Sequence, residues 1–443
     1  MVMGLMPLRS SLFEVTGVLF LIVCLLCIRL LRRRSLLLLL VWPVLIYFWG
    51  PTITSLFANA PVLRRYVFMS SLIPETLLMF IYVAGLCCLD YFFNLSHSIR
   101  KCVSSPSVVG LARSPIFLPI YLATTALAVT LQLVILHRFG SALGGGPYVM
   151  SLVSEGYIPY WGFLAGLYEI IFLFVVLYLL SGQRSRLRFL VLGLYVFAAA
   201  LRLAGGTRLI LVKEIAVILI IAHAQGRIKT RKLLLTGALV VVLGSVVGLL
   251  RSSGANPFAF LGPIYGLVME SGLNALTLNI AYQVQHSVYM ASHSQVVSAL
   301  EFVLLTSIPS FLRFGVTKTA LHAMSPYHAA LGYGFDTATP VGGMSGFATI
   351  SYIFGYPFFS TAILVVSIAS MLKMLSRTRV GNILILVFCI NAIHFWRDPI
   401  DIAAKNMVQD FIFAAALLVV PRLRGPAVLQ KAKVLKSGSE VIC

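Results

Sequence analysis

Charged residues are scarce in this 443-residue chain: they make up 11% of it, against roughly 25% in an average soluble domain. Hydrophobic residues account for 60%, and the mean hydropathy is +0.98. That balance excludes a soluble globular protein, a disordered chain and a disulfide-stapled secreted module. Acids are scarcer still, with 13 Asp plus Glu against 34 Lys plus Arg, a formal net charge of +21. In a soluble protein such an excess would point to nucleic acid. In a membrane protein the positive-inside rule accounts for basic loops without any ligand, so no nucleic-acid partner is expected. The seven cysteines fall in apolar or basic segments without metal-site spacing. They indicate neither a disulfide framework nor a zinc site and read as packing residues. The chain lacks a Walker motif, GxGxxG, GxSxG, Asp-x-Asp and HExxH. Nucleotide-fuelled transport, nucleotide-sugar transfer, serine-hydrolase chemistry and metalloprotease chemistry therefore lack support. No internal repeat is visible. The first apolar run, 18–28, ends in Arg29 and Arg32–Arg34 without a small-residue cleavage pattern, so it reads as a span rather than a cleaved signal.

What remains is an all-α, polytopic membrane bundle. Apolar runs of about 17–25 residues predict eleven transmembrane helices. They cover roughly 12–28, 36–57, 67–89, 116–136, 160–180, 189–203, 209–224, 233–250, 344–372, 383–395 and 408–420. The whole of 1–443 reads as a single membrane domain. Residues 251–341 form one long external loop with two semi-apolar pieces, 258–269 and 298–312, which read as interfacial or re-entrant helices. Residues 421–443 form a basic cytoplasmic tail.

Alternate connections differ in charge. One side collects Arg29 and Arg32–Arg34, Arg100, Lys101 and Arg113, Arg184, Arg186 and Arg188, then Arg227, Lys229, Arg231 and Lys232. Lys373, Arg377, Arg379 and the basic tail fall on the same side. It carries about twice the Lys and Arg of the opposite side, which makes it cytoplasmic and puts the N-terminus outside.

The candidates for chemistry sit on the external side. Arg208 follows Ala204-Gly205-Gly206-Thr207 and opens a helix that also carries Lys213 and Glu214. Paired glycines permit a sharp turn and a close approach, and a helix N-terminus offers free N–H groups and a positive dipole end to an anion. An arginine there suits a phosphate through its planar fork. Arg251 follows the eighth span. Arg397 lies in Trp396-Arg397-Asp398-Pro399-Ile400-Asp401 beside His394, a cluster that reads equally as a site or as an interfacial anchor with Trp396 in the aromatic belt. Arg313 ends the longer semi-apolar piece. Arg202, Arg64 and Arg65 read as snorkelling or rim residues. Among the few external acids, Glu270, Asp398 and Asp401 are candidates for deprotonating an attacking hydroxyl.

The order of these segments is distinctive. Gly-Gly-Thr-Arg opens a mid-chain helix, and Leu-Leu-Arg closes the next span. A long external loop then contains Ile308-Pro309-Ser310-Phe311-Leu312, and Gly342-Gly343-Met344-Ser345-Gly346-Phe347 leads into a later span. This order resembles the Wzy oligosaccharide repeat-unit polymerases, the family of O-antigen and enterobacterial common antigen polymerases, most clearly from about Arg202 to Val420. The resemblance implies a bacterial inner-membrane glycosyltransferase working at the periplasmic face. Its substrates would be undecaprenyl-diphosphate-linked oligosaccharides, with no cofactor and no metal, and a Wzx-type flippase and a Wzz-type chain-length regulator would be its partners. It further implies Arg208, Arg251, Arg397 and, less closely matched, Arg313 as diphosphate-binding residues, with Glu270, Asp398 and Asp401 as catalytic acids. Two alternatives stay open. An O-antigen ligase would want a histidine such as His322 or His394 beside the external arginines. A flippase or other transporter would use intramembrane charges such as Glu75, Glu169 and the Lys213–Glu214 pair.

Overall fold

The computed structural model describes residues 6–48, 69–142, 149–154, 156–182, 187–251, 305, 357–397 and 400–423. Among them the secondary structure is all helical: α1 (Met6–Arg32), α2 (Leu38–Phe48), α3 (Met69–Phe93), α4 (Leu95–Val103), α5 (Pro106–Ala112), α6 (Phe117–Phe139) and α7 (Val149–Ser154). After these come α8 (Trp161–Ser181), α9 (Leu187–Ala204), α10 (Arg208–Ala224), α11 (Thr230–Arg251), α12 (Pro357–Leu375), α13 (Arg379–Arg397) and α14 (Ile400–Leu423). Each of the eleven expected spans overlaps one of these helices. Six helices, namely α1, α3, α6, α8, α12 and α13, are long and apolar enough among the described residues to cross a membrane. The chain is a helical membrane protein. The segment 251–341, expected as an external loop, lies outside the described residues apart from Arg251 and Leu305, as does the tail beyond Leu423.

Helix α8 organises the bundle. Its 21 residues have no polar face, and Glu169 is its sole charged side chain. A helix apolar all round must be surrounded, and α8 is buried along most of its length by α5, α6, α9, α10 and α14. The outer helices invert the pattern of a soluble protein. In α1, Val15, Val18, Ile22 and Leu25 are exposed at helical spacing, whereas Thr16, Val23, Cys27 and Leu30 face inward. Apolar side chains turned outward are stable only where lipid covers them.

Two short helices, α4 and α5, lie in the connection between α3 and α6. Helix α4 buries Leu95, Ser98, Ile99, Cys102 and Val103, at the spacing of one helical face, and turns Arg100 and Lys101 outward. Asp90 fixes its start by accepting from the Ser96 N–H at 2.6 Å and the Ser96 hydroxyl at 2.9 Å. Burial pushes the Cys102 thiol up to about 11, which suits an inert packing residue.

The basic segments meet at one end of the bundle. Arg227 donates to the Leu179 carbonyl of α8 at 3.4 Å, and Lys373 donates to the Phe93 carbonyl that ends α3 at 3.2 Å. Arg100 donates to the Arg34 carbonyl at 3.1 Å, just beyond α1, and His223 Nε2 lies 2.9 Å from the Leu31 carbonyl. Helix C-termini leave carbonyls without intrahelical partners and carry the negative end of the dipole. Cationic side chains from neighbouring helices fill both needs, so the residues that bias insertion also tie the spans together.

Candidate functional site

The opposite end holds the turn between α9 and α10. Gly206 adopts φ 87°, the left-handed region that favours glycine. Gly205 is packed so closely that a Cβ there would lie 2.9 Å from Gln132 Nε2 and 3.0 Å from Val149 Cγ2. The turn is also pinned from outside. The Val149 N–H donates to the Gly205 carbonyl at 3.4 Å, and the Ser141 hydroxyl donates to the Ala204 carbonyl at 3.0 Å. Thr207 stands at the N-cap of α10, yet its hydroxyl donates backward to the Arg202 carbonyl at 2.8 Å and does not cap the helix. The Gly205-Gly206-Thr207 segment thus presents the N-terminus of a 17-residue helix beginning at Arg208.

Beneath this turn lies a buried ionisable network. Lys213, five residues into α10, sits about 8 Å below the helix start at 1.5 Å per residue. Its Nζ donates to Glu169 Oε2 at 2.5 Å and to His394 Nε2 at 2.8 Å. His394 Nε2 also lies 3.5 Å from Glu169 Oε1. Glu214 faces the other way, accepting from Arg202 Nη1 at 3.0 Å and from the Tyr195 hydroxyl at 2.6 Å. The Arg202 guanidinium lies over the Tyr168 ring, 4.6 Å from its centroid, with Nη2 4.0 Å from Glu169 Oε1. All of these ionic side chains are buried. Four spans therefore meet through charge: α8 through Glu169, α9 through Arg202, α10 through Lys213 and Glu214, and α13 through His394.

The chain matches no family model, no curated protein and no solved structure.

Three of the expected basic positions come to the same end of the bundle. Arg208 begins α10. Arg397 ends α13, three residues beyond the His394 that touches Lys213. Arg251 ends α11, which packs against α10 after the short connection 225–229 and so returns to the level of Arg208. Asp401 lies in the first turn of α14, next to the end of α13. Glu270, Arg313 and Asp398 lie outside the described residues, as do 308–312 and 342–347.

Several sequence expectations are corrected here. Arg202 is not a snorkelling residue: it is 3% exposed and ion-paired inside the bundle. Val191, Tyr195, Ala198 and Arg202 recur at one-face helical spacing, and all four are buried, so Arg202 lies on the interior stripe of α9. Lys213 and Glu214 are not a pair, because adjacent residues of a helix point about 100° apart. Each finds its partner on another span instead. Trp396 is not in an aromatic belt: it is 1% exposed and packs edge-on against Tyr82, with ring centroids 4.6 Å apart. His394, expected on the external side, is buried at 4% exposure against Glu169 and Lys213. Among the described residues no three His, Cys, Asp or Glu side chains converge as a metal site requires.

Proposed function

We propose that the chain is a Wzy-type polymerase that joins undecaprenyl-diphosphate-linked oligosaccharide repeat units at the periplasmic face of a bacterial inner membrane. The observation that carries this reading is that three arginine-bearing helix ends, at Arg208, Arg251 and Arg397, lie at one end of the bundle, the first of them directly after the Gly205-Gly206-Thr207 turn. A lipid diphosphate is the leaving group of such a transfer, and its charge grows as the glycosidic bond breaks. Fixed cations and the dipole end of a helix stabilise that charge without reorganising. Arg208, Arg251 and Arg397 would grip the diphosphate, with Arg313 as a fourth contact from the loop. One of Glu270, Asp398 and Asp401 would take the proton from the acceptor hydroxyl. Partners of the Wzx flippase and Wzz chain-length regulator types follow from the same reading.

The two rival readings fare differently. A ligase would need a histidine among the external arginines; His394 is committed to the interior, and His322 lies outside the described residues. A transporter is favoured by the buried network, since intramembrane charges commonly mark a transport path. In the network, however, Lys213, Glu169, Arg202 and Glu214 are matched to each other. Deleting the gene separates the three. Single repeats on lipid A-core support the polymerase, accumulated lipid-linked polymer points to a ligase, and lipid-linked repeats held in the cytoplasm point to a flippase.

Sidedness gives a direct check. Reporter fusions after Leu180 and Gly226 are expected to read cytoplasmic, and fusions after Gly254 and Ala330 periplasmic. A cytoplasmic signal at Ala330 would put the glycan donor on the wrong side and end the proposal. Activity of the purified protein is also expected to survive a divalent-metal chelator, because arginines can neutralise the diphosphate. Loss in chelator with recovery in magnesium or manganese would overturn that part.

A further inference from the structure

Ion pairing accounts for all but one of the buried carboxylates. Among the described residues the buried acids are Glu169, Glu214 and Asp410, and the buried permanent cations are Arg202 and Lys213. Lys213 is matched to Glu169 and Arg202 to Glu214. His394 brings no further positive charge in this arrangement. Its Nε2 lies 2.8 Å from Lys213 Nζ, and two fully protonated nitrogens cannot share that hydrogen bond, so the Lys213–His394 contact holds one positive charge. Asp410 is left without a cation in salt-bridge contact among the described residues.

Its hydrogen bonding is incomplete in a specific way. Asn391 Nδ2 donates to Asp410 Oδ2 at 2.8 Å and to the Val387 carbonyl at 3.1 Å. The other two oxygens of the pair, Asp410 Oδ1 and Asn391 Oδ1, have no hydrogen-bond partner among the described residues, and both residues are 0% exposed. Two unpartnered acceptors beside one amide–carboxyl bond are what remains when a carboxylic acid is drawn without its hydrogen. A single proton on Asp410 Oδ1 removes the unbalanced charge, and its O–H can donate to Asn391 Oδ1. Buried acceptors left empty are costly, and an uncompensated charge in the membrane core is costlier.

We propose that Asp410 is a proton-binding site in the membrane core, holding its proton as a neutral carboxylic acid paired with Asn391. Charged neighbours surround the site without touching it. The ionisable groups near it are Glu169 on α8, Lys213 on α10 and His394 on α13, while α5, which also packs against α14, contributes none. His394 follows Asn391 by three residues and shares its face of α13. This assignment does not depend on the polymerase reading.

The test is infrared spectroscopy of the full-length protein in phospholipid vesicles at neutral pH. The wild type is expected to show the C=O stretch of a protonated carboxylic acid that is missing from Asp410→Asn, with the rest of the acid region unchanged. Asn mimics the neutral acid, so this variant should also accumulate like the wild type. An acid band of equal strength in Asp410→Asn, or no acid band in the wild type, would overturn the proposal. If Asp410→Asn does not accumulate, Asn391→Ala decides: the band must persist at a shifted frequency, and a spectrum identical to wild type overturns the pairing.

Discussion

Replacing Arg208 by alanine is expected to slow polymer formation by roughly 30- to 4000-fold. The figure follows from the role assigned to the side chain. A desolvated anion left poorly paired typically costs about 2–5 kcal/mol, and about 1.4 kcal/mol corresponds to a decade in rate. The position is stringent because the chain preceding it is fixed. Gly206 holds its left-handed conformation, Gly205 is wedged against Gln132, and Thr207 is tied to the Arg202 carbonyl. A substitution at residue 208 thus removes a functional group without releasing the turn. Arg208→Lys keeps the charge but loses the planar two-pronged contact, so only part of the activity should return. Arg64→Ala, read as a rim anchor, is the control and should change little. The measurement is polymer length and yield at matched membrane abundance, because poor insertion would imitate lost chemistry. Wild-type polymer from Arg208→Ala would remove the anchor of the proposed site and return Arg208 to a snorkelling role.

Hydrophobic run length made the spans legible, because a bilayer sets a length scale that composition alone can meet. The described helices overlap all eleven expected spans. Several basic residues grouped by the charge count also meet helix ends, as Arg227 and Lys373 do. What escaped was pairing between distant residues. Glu169 and Lys213 are 44 positions apart, and Lys213 and His394 are 181 apart. No local pattern joins them, so each appeared alone as an isolated intramembrane charge or an external histidine. Arg202 was within reach of local reasoning, since the buried stripe Val191, Tyr195, Ala198 and Arg202 repeats at helical spacing. Its place two residues before Ala204-Gly205-Gly206 drew attention to the helix end instead of to the stripe. Trp396 was misassigned for a similar reason, as a tryptophan near a span end has the composition of an interfacial anchor. Its burial against Tyr82 depends on α3 packing beside it, which only tertiary structure supplies.

The Lys213–Glu169 pair gives the largest expected effect on stability. Removing one partner from a buried ion pair leaves an uncompensated charge and typically costs about 3–5 kcal/mol. Glu169→Gln should lie at the upper end, since Lys213 is 0% exposed and would lose its carboxylate partner among the described residues. Lys213→Met should cost less, because the Arg202 guanidinium still lies 4.0 Å from Glu169. The double variant Glu169→Leu with Lys213→Met removes both charges together. Apolar replacements of a buried pair are often neutral or stabilising, so the double variant should unfold near the wild-type temperature in detergent while both singles unfold lower. Additive losses in the double variant would show that the two side chains do not act as a pair. Activity then separates two roles. The network joins α8, α9, α10 and α13 directly under the start of α10, so it also sets the height and angle at which Arg208 is presented. A double variant that is stable but still weak in polymerisation would mark Lys213 and Glu169 as positioning residues, acting through Arg208. Full recovery of both stability and polymer yield would confine them to holding the bundle together.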